Sequence, residues 1–91
     1  MKKQTTLSTM SDARIVRIYT SVLVIAVDIV KTAMLGGSLV RYYPRPSGEL
    51  AIEISLGCLR EWAFDNEFGL RLEQDAGPSD SPVVGIERLV H

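Results

Sequence analysis

Few side chains in this 91-residue chain are of a type that does chemistry, and their spacing decides what each is able to do. Asp28 is the most suggestive acid, because it stands in the middle of an apolar run. Buried there, its pKa would rise and it would serve as a general base. Beside Lys31 on a solvated helix face it would be an ordinary ion pair worth a few tenths of a kcal/mol. The polar residues around it favour the second reading. Cys58 and His91 are the only thiol and the only imidazole. A nucleophilic pair made from them needs the last residue of the sequence to be held rigidly. Cys58 instead reads as a small core residue. Metal chemistry lacks donors: with one His, one Cys and no dense carboxylate loop, no three- or four-ligand set assembles. The spacing of Asp75 and Asp80 matches no calcium loop. Gly36–Gly37 follows a helix, whereas anion binding needs a helix start. No P-loop, GxSxG or dinucleotide fingerprint occurs. Neither a cofactor nor a metal is therefore expected.

Two groups suit binding better than catalysis. Trp62, Phe64 and Phe68, with Ile18, Val22 and Ile25, are the candidate lining of an apolar ligand site between a helix and a sheet. The bland alternative is core aromatics. The second group is Val40 to Pro46, VRYYPRP. There Tyr43 would stack on bases while Arg41 and Arg45, with Arg14 and Arg17, meet phosphates. Against it, so few arginines make a small electrostatic footprint. Charge is split along the chain. Residues 1–48 hold seven Lys/Arg and two Asp, a net of +5, and residues 49–91 hold three Arg and nine Asp/Glu, a net of −6. The simplest use of that split is mutual neutralisation across packed elements.

The elements that position these groups start with Ser11 to Gly37. Arg14, Arg17, Ser21, Asp28, Lys31 and Thr32 share one narrow helical stripe, and the apolar residues fill about 200° of the remainder. This predicts one long helix over 11–37, with Ser11 as N-cap, Met10 and Ile15 as a staple, and Gly36 or Gly37 as the left-handed terminator. The alternative is two strands, Arg14–Thr20 and Val22–Lys31, favoured by the many β-branched residues. No turn residues separate them, and alternation is imperfect, so the helix is preferred. A membrane span over Val22–Val40 is disfavoured because Asp28 and Lys31 would each cost about 2.5–3.5 kcal/mol near the bilayer centre.

Beyond Gly37 the period changes to two. Leu39–Tyr43 and Glu49–Gly57 read as a hairpin closed by PRPSG, with Tyr42 facing Leu50 and Val40 facing Ile52. Alternation continues from Leu50 to Leu72. It predicts strands Leu59–Phe64 and Phe68–Gln74, with a short helix over 59–66 presenting Leu59, Trp62 and Ala63 as the alternative. DAGPSDSP is a loop, and Val83–Val90 a last strand in which Gly85 marks a bulge or a close backbone approach.

The expected fold class is α+β. Residues 1–10 form a flexible start, and residues 11–91 one domain in which a long N-terminal helix packs on a curved antiparallel meander of four to five strands. That shape is similar in outline to the cystatin-like and hotdog architectures, a likeness carried by shape and not by a motif. A small sheet leaves part of so wide an apolar arc uncovered, which a second copy of the chain would cover. The expected function is a small, non-enzymatic, homodimeric binding module holding an apolar ligand or a partner protein. The alternatives are nucleic-acid association through the basic stripe and hairpin, and a small enzyme using Asp28 or Glu53 as base. The lysines at the start are followed by polar residues and not by a secretory core, and a lone cysteine suits a reducing cytoplasm.

Overall fold

The computed structural model describes residues 13–74 and 80–89. It is an α+β fold: a five-stranded mixed sheet with two helices. Strand β1 is Ile15–Thr20, helix α1 Leu23–Leu35, β2 Val40–Pro44, β3 Leu50–Ser55, helix α2 Leu56–Asp65, β4 Phe68–Gln74 and β5 Val83–Arg88.

The expected long helix is two elements. Residues 15–20 are extended because burial alternates there: Val16, Ile18 and Thr20 are buried, while Ile15, Arg17 and Tyr19 face the other way. The Thr20 hydroxyl then accepts the Val22 N–H at 3.1 Å, a local turn that redirects the chain into α1. The apolar arc looked so wide on a helical wheel because it superposed a strand face on a helix face. The proposed N-cap and staple partner, Ser11 and Met10, lie outside the described residues. At the other end the expectation holds. Gly37 sits at φ 77°, Gly37 N–H donates to Met34 O at 3.1 Å, and Ser38 N–H donates to Ala33 O at 2.9 Å, the paired bonds of a Schellman stop.

Residues 59–64 are helical, not a strand. The Ser55 side chain caps α2 by accepting the Cys58 N–H at 3.3 Å. Cys58, Leu59, Trp62 and Ala63 face inward at helical spacing. Phe64 decides between the periods: it has the apolar parity of a strand yet is 82% exposed, while Leu59, of the polar parity, is 0% exposed.

Strand order is β2-β3-β1-β5-β4. The sheet is not a meander, because β1 inserts between β3 and β5 and runs parallel to β5. Each helix bridges two parallel but non-adjacent strands, so the fold is two split β-α-β units. The parallel seam is slender: Arg17 stands opposite Val83, and Arg17 N–H donates to Pro82 O at 2.9 Å. In the β2–β3 hairpin Tyr42 faces Ile52 and Val40 faces Ile54. This is two residues beyond the expected register. Pro44 extends β2 opposite Leu50, and Arg45 N–H closes on Glu49 O at 2.8 Å, which tightens the loop. A shift of two leaves every side chain on its expected face.

Both helices pack on the face carrying Val16, Ile18, Ile52, Ile54 and Val84, and close the core with Ala26, Ile29, Ala33, Leu59 and Trp62. Ile18, Ile29, Ile52, Ile54 and Leu59 are wholly enclosed, each contributing about 1.5–3 kcal/mol relative to exposure.

Candidate binding site

Helix α1 buries only a narrow stripe, Ala26, Ile29 and Ala33. Leu23, Val24, Val27, Met34 and Leu35 are left exposed on its outer side. A groove runs along each flank of this ridge.

The first groove, of about 650 Å³, lies between α1 and the α2–β4 corner. Its aliphatic wall is Leu23, Val24, Ile25 and Val27, and its aromatic floor is Trp62 and Phe68. The two rings stack with centroids 5.0 Å apart and planes 13° from parallel. Asp28 fixes the indole by accepting its Nε1–H at 2.7 Å. From the corner, Asn66 donates through Nδ2 to the Trp62 carbonyl at 2.9 Å. The Arg88 guanidinium lies 5.0 Å from the centroid of Phe68, and Lys31 completes the charged rim. The second groove, of about 580 Å³, lies between α1 and the hairpin. It is walled by Val27, Val30, Met34 and Leu35 with Tyr42 and Leu50.

Of the six candidate ligand-site residues, Ile25, Trp62 and Phe68 come together in the first groove. The other three lie elsewhere. Ile18 is enclosed in the core, Val22 precedes α1 at the surface, and Phe64 is on the outside of α2. Their misplacement follows from the two misread elements. Arg88 and Asn66 were missed; Arg88 has the parity of Val84 and Ile86, which places it on the helix-covered face, and that parity was legible in the sequence.

The candidate nucleic-acid residues divide as well. Arg17, Arg41, Tyr43 and Arg45 share the sheet face opposite the helices. Arg14 belongs to the helix side, where it lines a third cavity with Val16, Leu56 and Leu70. On the open face each arginine meets a carboxylate. Arg17 donates to Glu53 at 2.9 Å and to Asp80 at 2.8 Å, Arg41 reaches Glu53 at 3.5 Å, and Arg45 reaches Glu49 at 3.1 Å. Tyr43 donates its hydroxyl to Glu53 at 3.2 Å, and Arg45 covers the Tyr19 ring at 4.0 Å. Arg71 bridges Glu73 and Glu87 farther along. Asp80 is held below the usual carboxylate range, chiefly by the Ser81 N–H and then by Arg17.

Cys58 is buried, and burial pushes its thiol above the ordinary value against a smaller opposing effect of Ser38. His91 lies outside the described residues. Among the described residues no three His, Cys, Asp or Glu side chains gather as a metal site, and no helix is long and apolar enough to cross a membrane.

Compared with family models, with curated proteins and with solved structures, the chain matches none significantly.

Proposed function

We propose that this protein is a non-enzymatic, homodimeric binding module whose recognition surface is α1 and the grooves beside it, with an apolar ligand or partner segment held in the groove over Trp62 and Phe68. One observation carries this reading: an aliphatic wall left uncovered beside a stacked aromatic floor, with three charged side chains, Asp28, Lys31 and Arg88, placed around it. Binding grooves have this composition, an apolar lining with a few placed polar groups. Asp28, the acid most suited to catalysis by its place in the sequence, is engaged in orienting the indole, which favours a structural role over a general base.

Trp62 is the only tryptophan, so its fluorescence reports the groove directly. Titration with 1-anilinonaphthalene-8-sulfonate should alter indole emission saturably and raise the melting temperature. Val27→Glu, which puts a charge on the wall, should abolish both effects. A saturable response that survives Val27→Glu unchanged places the dye elsewhere, and no response at all removes the ligand half of the proposal.

A second reading, nucleic-acid association, draws on Arg17, Arg41, Tyr43 and Arg45 sharing one open face. The carboxylates interleaved with those arginines oppose a phosphate backbone. Salt-dependent binding of an RNA homopolymer that falls with Arg41→Ala and Arg45→Ala would favour it over the first reading.

A further inference from the structure

The outermost line of α1, opposite buried Ala26, Ile29 and Ala33, is Val24, Asp28, Lys31 and Leu35. Their gaps are four, three and four residues, the spacing of a single seam on a helix packed against another helix. Val24 is 78% and Leu35 81% exposed. The order is apolar, acid, base, apolar. Reversed, it reads apolar, base, acid, apolar. A line with this property is complementary to itself when turned end for end, and to nothing of its own kind when run parallel.

We infer that two copies pair through α1 in antiparallel fashion about a two-fold axis level with the Ile29–Val30 bond. This rests on the homodimeric reading above and specifies its surface. In this register Val24 meets the partner's Leu35, and Asp28 meets the partner's Lys31. The axis generates each contact twice, giving two ion pairs at the centre and two apolar contacts at the ends. Parallel packing would set Asp28 on Asp28 and Lys31 on Lys31. Trp62 strengthens the case, because its 2.7 Å hydrogen bond holds the Asp28 carboxylate in one place without consuming its charge. Leu23, Val27 and Met34 lie exposed on the flank of the same line toward the hairpin.

The test is charge exchange. Lys31→Glu sets two acids against each other at both central contacts and should raise the dimer dissociation constant at least about tenfold. Asp28→Lys should do the same with two bases. An equimolar mixture of the two variants should pair again, because one copy then offers only acids and the other only bases. Analytical ultracentrifugation reads all three. If Asp28→Lys fails to fold, a mixture of Val24→Cys with Leu35→Cys answers in its place. A short bis-maleimide should join that mixture and leave Val24→Cys alone unjoined, since positions 24 lie about 16 Å apart along the antiparallel pair. A wild-type dimer indifferent to Lys31→Glu, with no 24–35 cross-link, overturns this pairing and leaves the homodimeric reading standing. A wild-type monomer at every concentration overturns both.

Discussion

The Trp62 indole donates to the Asp28 carboxylate at 2.7 Å and so ties α2 to α1 across the face of the sheet. These residues are 34 apart in sequence, and this is the polar contact that orients the aromatic floor of the groove. Asp28→Ala leaves the indole N–H of a residue only 2% exposed without its acceptor. Denaturant unfolding should then show a loss of about 1–3 kcal/mol. Asp28→Asn keeps an acceptor and should lose less.

The two readings of residues 59–64 differ in a pair of substitutions. In the helix, Leu59→Ala empties an enclosed site and should cost about 2–5 kcal/mol, whereas Phe64→Ser should stay within about 0.5 kcal/mol of wild type. A strand would give Phe64 the large effect. Urea denaturation of the two variants distinguishes the cases.

Glu53 sits under two arginines and the Tyr43 hydroxyl, with Arg17 itself largely covered. Glu53→Gln keeps the shape and removes the charge. It should destabilise by about 1–3 kcal/mol, since it takes a charge from beside the part-buried Arg17 guanidinium and leaves that group only the exposed Asp80 as its ionic partner. Arg41→Ala, at the exposed end of the same cluster, should cost no more than about 1 kcal/mol.

Asp80 gives the acid response a direction. Its folded pKa is lowered, so its contribution is complete above the ordinary carboxylate value and disappears as pH falls through the lowered one. Melting temperature should decline as pH drops from about 5 to about 2. Asp80→Asn should be the less stable form at neutral pH and should converge with wild type at the acid end. A constant gap across that range would show that the ionised Asp80 carboxylate, held by the Ser81 N–H and by Arg17, is not the source.

Cys58 should resist thiol reagents in the native state, because burial favours its neutral form and denies access. Reaction with 5,5′-dithiobis(2-nitrobenzoate) should follow global unfolding in guanidinium. A fast native reaction would place the thiol nearer the surface than it lies here.

How much of this was legible depended on whether an element was read by itself. The β2–β3 hairpin and its faces follow from alternation alone, and β4 appears with its expected bounds, Phe68–Gln74. Gly85 is neither the bulge nor the close backbone approach expected of it: it pairs regularly with Arg71, the ladder shifts instead between Leu72 and Gln74, and only the movable end of the Glu73 side chain stands where a Cβ would go. The first strand was hidden because Arg14, Arg17 and Ser21 match helical spacing by coincidence, and because the Thr20 turn contains no glycine or proline to announce it. The second helix was hidden by an even-numbered apolar series running from Leu50 to Phe64 and interrupted only at Arg60. Only Leu59 and Ala63, apolar at odd positions, spoke for the helix. Trp62 and Phe68 belong to the groove for a reason no local pattern carries, since their stack requires α2 to fold back on β4. The parallel β1–β5 seam was equally invisible, as its partners stand 66 residues apart.

That seam has a consequence for how the protein is made. β1 is the first strand described, yet its neighbour on one side is β5, the last. During synthesis, β1 can gain β3 once the middle of the chain leaves the ribosome, but its other margin stays unpaired until β5 is translated. Throughout that interval the β5 side of β1 is an open sheet edge, and such unpaired edges expose a nascent chain to wrong partners. A ribosome-stalled chain ending before Val83 should therefore be cut readily by protease within β1, and one extended past Arg88 should not.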